Sequence, residues 1–305
     1  MRKVVGWVLI LLGTFLLVTG LLVRFYAVPE LKVTPLTVSS ATQLDGTADK
    51  LDPTTGDTEL LDVKVASITE TDDDASDDDV AVFVNYSCVT LDEPDIPDCI
   101  DAGTDDNPDE RLITATEPDL FATDRKTAMS LDEDEDDDYL PEDAVAHEGL
   151  VNKWPFDAEK QAYPYWDGIL GEAVNAEYTD TEELNGLEVY VYEVEVVEEE
   201  AEVVTGIQGL YSLEKTLKVD PVTGSIIYQS QRDVRTLPEG DLLIDLQVEF
   251  TDEQVDENVV DAKDAADKLQ LVSTTVPIAG VVVGLLLIAA GLFLVFRRRD
   301  DHQEA

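Results

Sequence analysis

Residues Val4–Val23 read VVGWVLILLGTFLLVTGLLV, and residues Val276–Phe296 read VPIAGVVVGLLLIAAGLFLVF. Neither run carries a charge. Each has the roughly 20 apolar residues that a helix needs to cross the bilayer core. These stretches set the plan of the chain: one transmembrane helix near each end, with everything between them on one side of the membrane. Arg2 and Lys3 precede the first run and Arg24 follows it, while Arg297, Arg298 and Arg299 follow the second. Cationic residues collect on the cytoplasmic side of membrane spans. Both termini are therefore expected in the cytoplasm, with residues 25–275 outside the plasma membrane. A cleaved signal peptide is the rival reading of the first run. The run is long for a signal, however, and Arg24-Phe25-Tyr26-Ala27 offers no small-x-small cleavage site. The expected divisions are residues 1–3 (cytoplasmic), 4–23 (first span), 25–250 (outer domain), 251–272 (juxtamembrane helix), 276–296 (second span) and 297–305 (cytoplasmic tail).

Glycines recur regularly in both runs. Gly6, Gly13 and Gly20 are spaced by seven; Gly280 and Gly284 make a GxxxG, and Gly291 lies seven beyond Gly284. Small residues on one face let helix backbones approach closely. Either the two helices pair, or copies of the protein associate through them; glycine is also simply common in membrane helices.

The chain of 305 residues holds 20 Lys and Arg against 68 Asp and Glu, a formal net charge of −48. Between the spans, 14 basic residues face 65 acidic ones. Such a surface repels phosphates and excludes nucleic acid as a partner. Acidity of this kind reads either as disorder or as adaptation to high salt. A hydrophobic fraction of 44% argues for a folded domain and so for salt adaptation.

Period-two alternation dominates the outer segment and predicts a mostly β (α+β) domain of antiparallel strands. The strands fall at Leu31–Gln43, Leu60–Thr69, Val80–Leu91, Ala173–Tyr178, Leu187–Val197, Leu210–Val219, Ser225–Leu237 and Leu242–Phe250. Asn185-Gly186 reads as a tight hairpin turn. Asp-Pro-x-Thr-Gly occurs at Asp52–Gly56 and again at Asp220–Gly224. Proline and glycine suit turns at both places, and turn chemistry explains the repeat better than an internal duplication. From Thr251 to Val272 the period becomes helical, with Thr251 and Gln254 fitting a capping box and Val255, Val259, Ala262, Ala266 and Leu269 on one face.

Asp72–Asp79, Asp92–Asp109 and Asp132–Asp138 read as solvated acidic loops. None has the glycine and terminal glutamate of a calcium-binding loop. Cys88 and Cys99, both on the outer side, predict one disulfide; two cysteines are too few for structural zinc. Asn85-Tyr86-Ser87 matches a glycosylation acceptor. His147 is the one histidine outside, so a histidine-based metal site is not expected, and no cofactor is implied. It opens a stretch rich in aromatics: Trp154, Phe156, Tyr163, Tyr165 and Trp166. These either form a ligand surface or fill a core, and large aromatics usually do the second.

The chain resembles the porin PorA family, two-span envelope proteins of actinobacteria and halophilic archaea also described as a domain of unknown function. The resemblance runs over essentially the full length. It rests on Gly6-Trp7-Val8-Leu9, Arg24-Phe25-Tyr26, Leu51-Asp52-Pro53, and Glu148-Gly149-Leu150 with Trp154-Pro155-Phe156. It continues through Tyr163-Pro164-Tyr165-Trp166-Asp167, Asn185 to Tyr190, Val219 to Gly224, and Asp261 to Ala266. It implies an envelope location, and some members are linked to lipoglycan maturation. It supplies no catalytic residues. The acidic insertions depart from the family and read as salt adaptation. A membrane β-barrel needs lipid-facing strands, and these strands are too acidic for that. A channel would need several copies lined by helices that hold little polar beyond Thr14 and Thr19.

Two functions follow. The first is a non-enzymatic binding or scaffold protein for an envelope lipid, glycolipid or protein partner. The alternative is a subunit of an oligomeric channel, self-associating through the spans. No GxSxG, HExxH, phosphate loop or zinc-spaced cysteines point to an enzyme, and a carboxylate pair means little among so many acids. Salt adaptation carries its own test. Between about 0.1 M and 1 M salt the Debye length shrinks from roughly 10 Å to 3 Å. Thermal melts of the detergent-solubilised protein followed by circular dichroism should move to higher temperature as salt rises toward several molar; a flat or falling midpoint removes that reading.

Overall fold

The computed structural model describes residues 2–52, 54–100, 103–104, 107–116, 118–131, 138–142 and 144–296. Pro53 of the first turn, residues 132–137 of the third acidic run, part of the Asp92–Asp109 loop, Arg297–Arg299 and His302 lie outside the described residues. The chain forms two units: Met1–Val33 with Asp264–Ala305, and Thr34–Lys263.

The second unit is built on one antiparallel sheet. Its strands are β1 (Ser39–Leu51), β2 (Thr58–Asp72), β3 (Val80–Leu91), β6 (Leu112–Ala115), β7 (Asp119–Asp124), β8 (Tyr163–Asp167), β9 (Glu172–Leu184), β10 (Leu187–Val204), β11 (Ile207–Val219), β12 (Ile226–Thr236) and β13 (Leu242–Phe250). A separate two-residue ladder joins β4 (Gly103–Thr104) to β5 (Asn107–Pro108). The main order is β6-β3-β2-β1-β13-β12-β11-β10-β9-β8, with β7 also on β3. The first and last long strands are thus neighbours, with Leu44 opposite Phe250 and Lys50 opposite Ile244. The alternation in the sequence is the alternation of burial. On β10, Tyr192, Val194 and Val196 are buried while Glu193 and Glu195 are exposed.

Two of the expected strands, Val80–Leu91 and Leu242–Phe250, have the same bounds in the structure. The first strand does not: it lies at Ser39–Leu51 rather than Leu31–Gln43. Pro35 interrupts the earlier stretch, and a helical turn over Val28–Leu31 takes its first residue. The strand instead uses the polar-looking Gln43-Leu44-Asp45-Gly46-Thr47. Gly46 is needed there, because a Cβ would strike the carbonyl of Gln247 on β13. Five strands, β4 to β8, have no counterpart in the expected set; the longest has six residues.

Helix α2 (Asp252–Gln270) starts one residue after the expected point. The Thr251 hydroxyl accepts from the Gln254 N–H at 3.1 Å, half of a capping box. The other half goes elsewhere: Gln254 Oε1 accepts from the Gln43 N–H at 3.0 Å, tying the helix start to β1. Val255, Val259 and Ala262 are buried with Leu44, Val189, Ile227 and Leu246. Asn185 and Gly186 take φ of 48° and 76°, a positive-φ hairpin turn. That turn docks on α2: Asn185 Nδ2 donates to Asp256 at 2.8 Å, and Lys263 donates to the Asn185 carbonyl at 2.7 Å.

The first unit is a pair of apolar helices, α1 (Arg2–Leu22) and α3 (Val276–Phe296). They run antiparallel with Gly6 against Gly291, Gly13 against Gly284 and Gly20 against Pro277. A Cβ on Gly13 would lie 2.6 Å from the Gly284 carbonyl oxygen, and one on Gly284 2.7 Å from that of Gly13. The seam therefore follows the seven-residue repeat Pro277, Gly284, Gly291 and not the GxxxG; Gly280 is only half-buried, its Cβ position 3.3 Å from the Leu16 oxygen. A sustained repeat of seven keeps two supercoiled helices in register.

Each helix widens at its Val-Pro dipeptide. The Val28 N–H bonds back five residues to the Val23 carbonyl, and the Val276 N–H bonds to the Leu271 carbonyl. Pro29 and Pro277 come next. A proline has no N–H to give and its ring crowds the carbonyl four residues back, and one wide turn relieves that crowding in both helices.

Paired substitutions separate sequence from surroundings. Gly56 and Gly224 occupy the same motif at φ of 78° and 76°; Gly56 has open space around it, whereas a Cβ on Gly224 would meet the Trp154 backbone. Gly56→Ala should cost about 1 kcal/mol for the left-handed backbone, and Gly224→Ala about 3 kcal/mol with overpacking added, read by denaturant unfolding. In the helices, Gly13→Ala should cost about 2 kcal/mol and Gly280→Ala under about 1 kcal/mol, because only the first forces backbones apart. Unfolding by SDS titration in mixed micelles checks this; equal costs would contradict the seam.

Candidate functional site

The aromatic stretch is a structural clamp. Residues 147–167 leave β7 by a long loop and return as β8. The Leu150 N–H donates to the Pro164 carbonyl, and the Trp166 N–H donates back to Leu150, both at 2.8 Å. Gly149 holds φ of 76° because a Cβ would sit 2.5 Å from the Pro164 oxygen. The Trp154 N–H donates to Gly224 and the Ala158 N–H to Pro221, both at 2.8 Å, so the loop closes on the second Asp-Pro-Val-Thr-Gly turn.

Trp154 is wholly buried, and Tyr163, Tyr165 and Trp166 are buried too; only Phe156 is half-exposed. The Trp154 ring lies 5.0 Å from Tyr192 and 5.6 Å from Tyr165, centroid to centroid. Its indole N–H is without a hydrogen-bond partner. That costs about 1–3 kcal/mol, which the large buried aromatic surface outweighs. Four of the five aromatics read as a ligand surface or a core are thus buried in the domain, and Phe156 keeps part of its surface exposed.

Lys153 sits beside this core. Its Nζ lies 4.0 Å from the Phe156 ring centroid and 3.4 Å from the Thr34 hydroxyl. Burial pushes its pKa down to about 8. His147 is buried between Phe121 and Trp166, the latter at 4.4 Å. Its Nε2 is 3.0 Å from Asp119 and its Nδ1 2.8 Å from the Val145 carbonyl. Both ring nitrogens thus have a polar partner.

A second buried polar group escaped the sequence reading. The Tyr211 hydroxyl donates to Asp167 at 3.0 Å, and Arg235 grips Asp233 with two hydrogen bonds, from Nε at 3.0 Å and from Nη2 at 2.5 Å. Burial, with the nearby Asp167 and Asp233 charges, drives the Tyr211 pKa upward. At Arg235 burial pulls downward, and the Asp233 hydrogen bonds and charge outweigh it. Asp167 also caps its own turn, accepting from the Ile169 and Leu170 N–H groups. Nothing in the spacing of these four residues signals their meeting; three strands, β8, β11 and β12, supply them.

Cys88 and Cys99 form a disulfide, Cα to Cα 5.4 Å. It pins the loop after β3, where Lys64 donates to the Ile96 carbonyl at 2.6 Å and pairs with Asp98 at 3.1 Å. Closing a short loop adds about 3 kcal/mol in the chain-entropy account. Asn85 lies mid-strand on β3, its Nδ2 within 3.2 Å of Ser67, Ile68 and Thr69 acceptors. Glycosylation of the folded domain would break these bonds. No cluster of three metal-ligating side chains occurs among the described residues.

The other side of the sheet is polar. Asp45, Thr47, Gln247, Glu249, Ser230, Arg232, Glu214 and Thr216 form two cross-strand rows over β1, β13, β12 and β11. They line a shallow groove of about 380 Å³. Arg232 is held there by two bonds to Asp245, at 3.0 and 2.7 Å.

The helix pair presents the opposite chemistry. Its glycine seam is closed, and its outward side chains are apolar, from Val4, Trp7 and Leu11 on α1 to Leu286 and Phe293 on α3. Both helices are long and apolar enough to cross a membrane. Thr14 and Thr19 lie on exposed surface within the first.

Comparison with known proteins agrees with this plan. The sequence profile of the Porin PorA family matches residues 5–293, both helices and the whole domain between them. A relative named Porin PorA from Corynebacterium amycolatum is 26% identical over 234 residues, covering 64% of this chain and 58% of the relative. The chain thus spans little more than half the length of that relative. Matched from the first helix to the last, the chain belongs to the Porin PorA family.

Proposed function

We propose that this chain is one protomer of an oligomeric channel in the cell envelope, tethered by both helices, with its acidic domain outside the cytoplasm and both termini inside. The observation that supports the reading is the Porin PorA family match, which runs over residues 5–293 from the first helix to the last. The reading is non-enzymatic.

The chemistry of each unit limits how such a channel works. One chain holds no path, because α1 and α3 meet backbone to backbone at Gly13 and Gly284. A path has to form between copies, along outward helix surfaces whose hydroxyls are few. Apolar constrictions of this kind gate by dewetting. Selectivity then comes from the domain, where 65 acidic residues against 14 basic ones concentrate cations around it.

Binding of an envelope lipid or glycolipid has less support. Of the aromatics that motivated it all but Phe156 are buried, and the groove on the sheet is lined mainly by polar side chains.

Purified full-length protein reconstituted into planar bilayers should give stepwise conductance with a reversal potential favouring K⁺ over Cl⁻. Native mass spectrometry from the same preparation should show a ring-sized oligomer. Folded, inserted protein that stays monomeric and passes no current would sink the channel reading and return attention to a scaffold role.

A further inference from the structure

We propose that the free edge of β10 over Glu195–Val204 is a docking edge for an extended basic segment of a partner protein, added to the sheet as another strand. The pairing of β9 with β10 ends at Val194 opposite Ala176. Beyond that point β10 runs ten residues further, paired among the described residues with β11 alone. Its other edge therefore presents backbone N–H and C=O groups with no strand beside them, the arrangement that accepts an added strand.

The edge is firm. Ala201 and Val203 are buried with Tyr211 and Leu213, so the projecting hairpin is anchored from within. A bulge between Val196 and Glu199 sets the strand's course, with Glu198 at φ of 49° and its N–H bound to Ser212 Oγ at 2.9 Å. Regular pairing then resumes, from Glu199 opposite Tyr211 to Glu202 opposite Gln208. The hairpin also exposes apolar side chains in an otherwise acidic region: Val197 at 62%, Val204 at 43% and Ile207 at 42%.

Charge selects the occupant. Glu198, Glu199, Glu200 and Glu202 crowd five positions. Like charges directly opposite each other destabilise a strand pair, so a second copy of this edge is repelled. A strand bearing Lys or Arg is attracted by the same groups. Glutamates on an edge also serve simply to keep every strand away, and the experiment separates the two.

The test uses full-length protein in detergent and three labelled ten-residue peptides: alternating Lys-Thr, the same peptide N-methylated at alternate residues, and alternating Glu-Thr. Fluorescence anisotropy should show the Lys-Thr peptide binding at least tenfold tighter than either of the others. Hydrogen exchange should slow at residues 195–204 when it binds. Glu200→Lys with Glu202→Lys, both on exposed positions, should shift the preference toward the Glu-Thr peptide. Equal binding of the N-methylated peptide would mean diffuse attraction to an acidic surface and would overturn the proposal. Absence of binding, or unchanged exchange at 195–204 in the unmutated protein, would overturn it as well.

Discussion

The pairing of β1 with β13 is the constraint from which the rest of the domain follows. Leu44 faces Phe250 across it, and the bonds from Gln43 to Thr251 and Gln254 extend it into the start of α2. A fold whose first and last long strands are neighbours brings the two ends of the domain together. The intervening strands can be an antiparallel meander joined by short turns, and most of them are. The burial of Val255, Val259 and Ala262 against the same strands lets the last strand pass into a helix without exposing its apolar stripe.

Much of this was legible because its signals are local. Two uncharged runs of about 20 residues read as spans on length alone. Strand β3 begins and ends where its apolar residues do, and Asn185-Gly186 marks its turn by the one conformation the pair favours. What was not legible depends on partners distant in sequence. Strand β1 carries Asp45, Gly46 and Asp49, poor strand formers, and is a strand because β2 and β13 lie on either side. The glycine seam needed the opposite helix to show which repeat mattered: Gly280 fits a motif but stands half out of the contact, whereas Pro277, in no motif, lies inside it. Asp167, Tyr211, Asp233 and Arg235 come together only once β8, β11 and β12 are in register.

The two Asp-Pro-x-Thr-Gly turns show how far a motif determines its use. Both close a hairpin with the same bond, from the glycine N–H to the aspartate carbonyl, at 2.8 and 2.9 Å. Asp52 and Asp220 both accept from their turn threonines. There the likeness ends. Residues around Gly56 are exposed, while Asp220 and Thr223 are buried beneath the Trp154 loop. The aromatic stretch thus gains a packing role from the second turn. Its large side chains fill the space between that turn and β8, β9 and β10.

The distribution of polarity divides the labour of the molecule. The spans hold two hydroxyls and no carboxylate, and the domain between them holds 65. In the proposed channel, the helices would make the barrier to ions and the acidic domain would discriminate between them. The four glutamates of Glu198–Glu202 stand apart from this general charge. Most other acids lie on loops, on α2 or on exposed strand faces, where the hydration they gain is reason enough for them, and the buried Asp167, Asp220 and Asp233 are held by hydrogen bonds. On β10 they flank a strand edge beside exposed valines, where they also decide which strand can approach. A uniformly acidic surface needs no such placement. The free edge is therefore the part of the domain where charge and backbone geometry together specify a partner.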